Sequence, residues 1–145
     1  MTDPLIAAIA DPGARDLVER AQRASKKAYA KHSEFFVGAA IRTASDKIHV
    51  GCNVENDSYG LTICAERNAV FAAVTREGRG VQVEAVGLYA RTDRPGTLNT
   101  VSPCGACRQV LWQFCTPTTS VTFLENRAYT TRLLSDLLPS PFDFT

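Results

Sequence analysis

The sequence predicts an α/β sandwich in a single domain, residues 1–145, with some of its strands parallel. Three observations carry that expectation. At 145 residues the chain has the size of one ordinary domain, which buries roughly 68–70% of its unfolded surface and needs no disulfide staple. Strand-like and helical apolar patterns alternate along the second half, the order that builds parallel strands through crossover helices. Val81 to Ala90 is apolar on both faces after Ala85, as in a central strand covered by helices on two sides.

Each element follows from local signals. Asp11-Pro12 reads as an N-cap followed by proline at the first helical position, and Ala14, Leu17, Val18, Ala21 and Ala28 recur on one face, giving a helix over 12–29. Short apolar runs over 35–43 and 48–54, separated by Asp46-Lys47, predict a hairpin. A helix starts near Thr62, carries Ala65, Ala69, Val70 and Ala73 on one face, and stops at Gly78 and Gly80. After the strand over 81–90, Pro95-Gly96 marks a loop over 91–100. Ser102-Pro103 repeats the cap-plus-proline signal, with Cys107, Val110, Leu111 and Phe114 at helical spacing behind it. Ser120 to Leu124 is a short strand, and Thr131 to Leu138 reads as a final helix ended before Pro139.

Charge and composition narrow the function. Sixteen Lys and Arg against fifteen Asp and Glu leave a net charge of +1. That balance argues against a nucleic-acid or membrane-surface partner, which calls for a basic stripe. The apolar stretch Leu5–Ala10, between Asp3 and Asp11, is too short for a signal peptide or a span, so a cytoplasmic location is expected. Five cysteines, an odd number, do not read as a disulfide framework.

Three of those cysteines sit where two helices begin. Cys64 follows Thr62, while Cys104 and Cys107 form a C-x-x-C behind Ser102 and share one helical face. Helix N-termini stabilise thiolate through free N–H groups and the macrodipole. Two such helices with their starts together bring three thiolates around one tetrahedral zinc, leaving a fourth position open, which is the catalytic pattern. A C-x-x-C alone serves metal, redox or plain core roles equally. Glu66, two residues after Cys64, separates the readings: a carboxylate beside an open zinc position is placed to take a proton from water.

Taken together, Cys64-Ala65-Glu66-Arg67 and Pro103-Cys104-Gly105-Ala106-Cys107-Arg108-Gln109 resemble the two zinc motifs of the cytidine deaminases. The likeness extends to Phe35-Phe36-Val37-Gly38-Ala39-Ala40, Gly51-Cys52-Asn53-Val54-Glu55-Asn56, Ser58-Tyr59-Gly60 and Leu137-Leu138-Pro139. It implies a three-layer α/β/α sandwich with a mixed five-stranded sheet. It also implies one zinc per chain on Cys64, Cys104 and Cys107, and hydrolytic deamination of cytidine and 2′-deoxycytidine, with release of ammonia, in pyrimidine salvage.

The same resemblance assigns roles. Glu66 shuttles protons from water to ring N3 and to the departing amine. Arg67 donates hydrogen bonds to the sulfurs, offsetting the excess negative charge of three thiolates on one zinc. Asn53 and Glu55, two apart on one strand face with Val54 turned into the core, hold the ribose 3′-hydroxyl. Phe35 packs against the base, Tyr59 joins the substrate-binding residues beside a subunit contact, and Phe142 comes from a neighbouring subunit of a homotetramer. Cys52 and Cys115 read as buried apolar thiols.

The sequence departs from the family pattern at Lys31-His32-Ser33, where Pro-Tyr-Ser is usual, at Phe36 in place of proline, and at Asp57 in place of a small residue. Rival readings are a deaminase of another aminopyrimidine nucleoside, such as blasticidin S, and a non-catalytic zinc-binding interaction module. The Cys-Asn-Val-Glu-Asn run speaks against the first, and Glu66 beside an open metal position against the second.

Overall fold

The computed structural model describes residues 3–144. Its sheet has the strands β1 (Phe35–Thr43), β2 (Ile48–Cys52), β3 (Val83–Thr92), β4 (Cys115–Glu125) and β5 (Ala128–Leu133), in the spatial order β2-β1-β3-β4-β5. β1 is antiparallel to both neighbours, β3 and β4 are parallel, and β5 returns antiparallel on β4. The helices are α1 (Pro4–Ala7), α2 (Pro12–Ser25), α3 (Ala65–Glu77), α4 (Gly105–Trp112) and α5 (Leu134–Leu137). The sheet is therefore mixed and five-stranded, with its single parallel pair joined through α4. Among the described residues, no helix is long and apolar enough to cross a membrane.

Strand alternation assigns the layers. Val37, Ala39 and Ile41 of β1 pack with Ala65, Ala69, Val70 and Ala73 of α3, Leu111 of α4 and Leu134 of α5. Ala40, on the opposite face, packs with Leu17 and Ala21 of α2. Helices thus cover both faces. α2 lies so close that a Cβ on Gly38 would stand 1.8 Å from the Ala21 carbonyl oxygen.

Several boundaries differ from the sequence expectation, each for a local reason. α2 begins as expected, with Asp11 Oδ2 accepting from the Ala14 N–H at 2.8 Å, but ends at Ser25 rather than near residue 29. Tyr29 donates its N–H to the Asn53 carbonyl at 3.1 Å and pairs with Val54, which draws the chain out of the helix. β2 stops at Cys52, before the strip 53–55. α3 and α4 start later than the Thr62 and Ser102-Pro103 signals suggest, with Cys64 and Cys104 themselves as the N-caps.

The expected helix over 131–138 is the largest correction. Residues 128–133 form β5, and only Leu134–Leu137 are helical. Asn126 and Arg127 both take left-handed backbone, φ 50° and 65°, making a two-residue hairpin loop between the paired Glu125 and Ala128. Thr122 and Thr131 then bond hydroxyl to hydroxyl at 2.8 Å across the pair. β4 likewise extends back to Cys115, where Thr119 Oγ1 donates to the Val83 carbonyl at 2.6 Å through a register shift.

Candidate active site

α3 and α4 point their N-termini at one place. β2 seats α3 through Gly51, where an added Cβ would lie 2.5 Å from both the Ala65 carbonyl oxygen and the Ala69 nitrogen. Asn68 Nδ2 ties the helix to the Cys52 carbonyl at 2.8 Å. Arg108 anchors the start of α4 by donating from Nε to the Pro103 carbonyl at 2.8 Å and from Nη1 to the Leu137 carbonyl at 2.7 Å.

With both helices fixed, the Sγ atoms of Cys64, Cys104 and Cys107 all lie within 4.8 Å of one another. Cys64 and Cys104, as N-caps, are 3.9 Å apart, while Cys107 is buried one turn inside α4. Arg67 Nη2 donates to Cys64 Sγ at 3.3 Å.

The donor set of three sulfurs could hold a metal ion. Hydrogen bonds from Cys107 and Arg67 pull the Cys64 thiol down to about 5, whereas the neighbouring Cys64 sulfur and burial push Cys107 up. Three sulfurs this close ionise together only around a cation. Their thiolates suit a soft tetrahedral ion, and three protein ligands leave one position open. Arg67 sits beside two sulfurs, which raise its own pKa.

Glu66 is 5% exposed, and burial pushes its carboxyl up to about 7, with the Cys64 charge adding to the rise. Among the described residues, Glu66 Oε2 and Arg67 Nε are the buried side-chain polar atoms without a hydrogen-bond partner. An unpaired buried carboxylate oxygen costs free energy unless it serves a ligand or a reaction. It lies next to the sulfur cluster.

A cavity of about 270 Å³ opens beside these groups, lined by Phe35, Asn53, Glu55, Cys64, Glu66 and Cys104 among others. An outer compartment of about 330 Å³, lined by His32, Ser33, Glu55, Tyr59 and Thr62, shares Ser33, Glu55 and Thr62 with it. A separate hollow of about 420 Å³ between α2 and β2 shares none of these lining residues.

The expected substrate residues fall out differently. Phe35 lines the inner cavity and packs against the main core. Asn53 is buried, its amide already spanning β1: Nδ2 donates to the Phe35 carbonyl and Oδ1 accepts from the Val37 N–H, both at 2.8 Å. One N–H and one lone pair remain for a ligand. Glu55 accepts from the His32 N–H at 2.8 Å, the Ser33 N–H at 3.3 Å and the Ser33 hydroxyl. The Ser33 hydroxyl leads these donors in holding the carboxyl below the usual carboxylate range.

Val54 is 45% exposed rather than turned into the core, because the inward face of strip 53–55 borders the cavity. Tyr59 is 74% exposed and meets His32 edge-to-face at 5.1 Å. Phe142 is 75% exposed and is not among the described residues lining either compartment. Gln109 pairs with its backbone at 2.8 and 3.0 Å. Cys52 and Cys115 are half-buried rather than buried, with thiols pushed up by desolvation. Sequence reasoning left Ser33, Asn68 and Arg108 without roles in the site. The signal available for Ser33 is that it alone keeps the serine of the Pro-Tyr-Ser pattern at Lys31-His32-Ser33.

Comparison with known proteins converges with this geometry. Residues 13–123 match the model of the cytidine and deoxycytidylate deaminase zinc-binding region. A cytidine deaminase of Halalkalibacterium halodurans is 43% identical over 128 residues, covering 87% of this chain and 91% of the relative. One from Mycobacterium tuberculosis is 39% identical over 122 residues, covering 84% of each chain. The crystal structure of cytidine deaminase from Burkholderia pseudomallei superposes with a TM-score of 0.77 at 41% identity, over 88% of this chain and 97% of that one.

Proposed function

The chain belongs to the cytidine and deoxycytidylate deaminase family, and on that premise we propose that its cavity takes cytidine and 2′-deoxycytidine and hydrolyses their 4-amino group to ammonia. The observation that carries this reading is the unpartnered, buried Glu66 carboxylate lining the same cavity as the sulfur cluster. Cys64, Cys104 and Cys107 hold zinc. When bound there, zinc supplies the Lewis acidity that brings the pKa of a water to about 7.

Glu66 moves the protons. Its carboxylate takes one from the attacking water and delivers it to ring N3, as C4 gains the hydroxyl. It then carries the second water proton to the exocyclic nitrogen while the C4–N bond breaks, so that ammonia leaves and the 4-oxo product remains. A carboxyl held near neutrality by burial both gains and gives up a proton with little loss.

Phe35 lies against the base, and Asn53 and Glu55 receive the sugar 3′-hydroxyl. Asn53 has one donor free and Glu55 one acceptor position, which together match a group that both accepts and donates. The exposed apolar side chains Tyr29, Val54, Tyr59 and Leu61 support assembly into a homotetramer, with Phe142 offered to a neighbouring copy.

Glu66→Gln tests the reading. The variant keeps zinc at the parent ratio and loses on the order of 10²–10⁴ in kcat, because the amide cannot shuttle protons. Parent-like turnover of cytidine by that variant removes Glu66 from the chemistry.

A further inference from the structure

The donors that hold Glu55 come from a loop, residues 31–34, that carries no proposed metal ligand. The backbone of Glu55 is fixed independently, since strip 53–55 is paired with Tyr29 on one side and Ile63 on the other. Its side chain is placed by the loop alone among the described contacts: two N–H groups on Oε2 and the Ser33 hydroxyl on Oε1. A carboxylate offers about four lone-pair positions. Three are filled, so where the loop stands decides where the fourth points.

The loop is tied down at its base and at its crest. Glu34, in left-handed backbone at φ 56°, donates its N–H to the Ala30 carbonyl at 2.9 Å and closes the turn. Arg94 Nη2 donates to the His32 carbonyl at 2.8 Å. The third tie comes from Asp57, two residues past the strip. Asp57 Oδ1 accepts from Lys31 Nζ at 2.6 Å and from His32 Nε2 at 3.0 Å.

His32 therefore faces two carboxylates two residues apart, giving its backbone N–H to Glu55 and its ring to Asp57. The ring is steadied further by its edge-to-face contact with Tyr59. Lys31, His32 and Asp57 thus form one bracket across the loop and the segment after strip 53–55.

We propose that Asp57, gripping Lys31 and His32, is a positioning residue for sugar recognition: it holds the crest of loop 31–34 so that the free lone pair of Glu55 faces the nucleoside. The inference rests on the reading that Glu55 accepts from the sugar 3′-hydroxyl. Asp57 does not touch the nucleoside. Its side chain is 76% exposed, and solvent-screened charge pairs are weak, so removing it raises KM by about two- to five-fold.

The test is steady-state kinetics of the zinc-loaded enzyme and its Asp57→Ala variant, on cytidine and on 3′-deoxycytidine. The parent has a lower KM for cytidine than for the analogue. In the variant, KM for cytidine rises by about two- to five-fold while kcat stays within about two-fold. KM for 3′-deoxycytidine does not move, because that substrate lacks the group Glu55 receives. Asp57→Asn, which keeps an acceptor oxygen without the charge, falls between parent and Asp57→Ala.

An equal rise in KM for both substrates, or none for cytidine, overturns the positioning role and reduces Asp57 to a loop staple. A parent enzyme that fails to distinguish the two nucleosides removes the Glu55–hydroxyl reading itself, and this inference with it. Because Asp57 lies at the surface, the variant folds, and a melting temperature close to the parent's verifies that.

Discussion

Replacing Gly51 by alanine probes how strictly the chemistry depends on where β2 seats α3. The new Cβ would stand 2.5 Å from the Ala65 carbonyl oxygen and from the Ala69 nitrogen, and 2.9 Å from the Asn68 carbonyl carbon. Ala65 O and Ala69 N are the two ends of an i, i+4 pair in the first turn of α3, so the methyl presses on helix backbone rather than on a pliable side chain. Restoring ordinary contact at 3.4 Å requires about 0.9 Å of withdrawal. β2 is held by its ladder to β1, so the helix start moves and carries Cys64 and Glu66 with it. Overpacking of this kind costs about 1–3 kcal/mol, which lowers Tm by roughly 3–12 °C in a domain of this size. A 1 Å misplacement of catalytic groups costs about 10²-fold in rate. Thermal melting, zinc content per chain and kcat on cytidine read the three effects separately. Gly80→Ala is the control, since its Cβ meets nothing within 4 Å, and it retains parent turnover and melts no lower. A Gly51→Ala enzyme with parent kcat and Tm would refute the idea that this contact sets the position of the site.

Two further outcomes follow from the same geometry. Cys104→Ala loses zinc and melts below the parent, and its melting no longer responds to a chelator, whereas the parent's falls to meet it, because metal binding is coupled to folding. Zinc retained at one per chain would overturn the ligand assignment. At the far end of α3, Glu77 accepts from Ser45, His49 and Thr43, and these bonds, Ser45's first, hold its carboxyl down to about 2. A depressed folded-state pKa adds stability above the unfolded value of about 4.3, fully present at neutral pH and lost as pH falls from about 5 toward 2. Denaturant midpoints measured across that window drop less steeply for Glu77→Gln than for the parent, and equal slopes would dismiss the network as a source of acid lability.

What was legible in the sequence shares a physical character: it was local. The Asp11-Pro12 cap, the end of α3 at Gly78 and each of the two short motifs, Cys64-Ala65-Glu66 and Cys104-Gly105-Ala106-Cys107, are written within a few residues, although the meeting of those motifs across forty residues is not. β5 was missed because its hairpin turns on Asn126-Arg127, and arginine in left-handed backbone leaves no signature comparable with Asn-Gly. Val54 was assigned to the core because period-two alternation says which residues share a face, not whether that face meets helix or cavity. The contacts that complete the site join distant segments: Ser33 to Glu55 and Arg108 to Leu137 lie 22 and 29 residues apart. No periodicity encodes such pairs, and only their chemistry, a carboxylate in want of donors and a guanidinium in want of carbonyls, hints that partners exist.

The two halves of the site rest on different foundations, and that difference bears on how each tolerates change. Glu66 and Cys107 are buried, and the helices that carry them pack into the main core through Ala65, Ala69, Val70 and Leu111. Moving either helix disturbs dense packing, so substitutions there cost stability and rate together. Glu55 is steered instead by a half-exposed loop whose ties are surface hydrogen bonds and ion pairs. Each of those is individually weak because solvent screens it, and can be exchanged without unfolding the chain. Selection on substrate preference therefore has a cheap route through residues 31–34 and Asp57. A change routed through α3 or α4 would have to rebuild the core first, because Ala65, Ala69, Val70 and Leu111 are packed there.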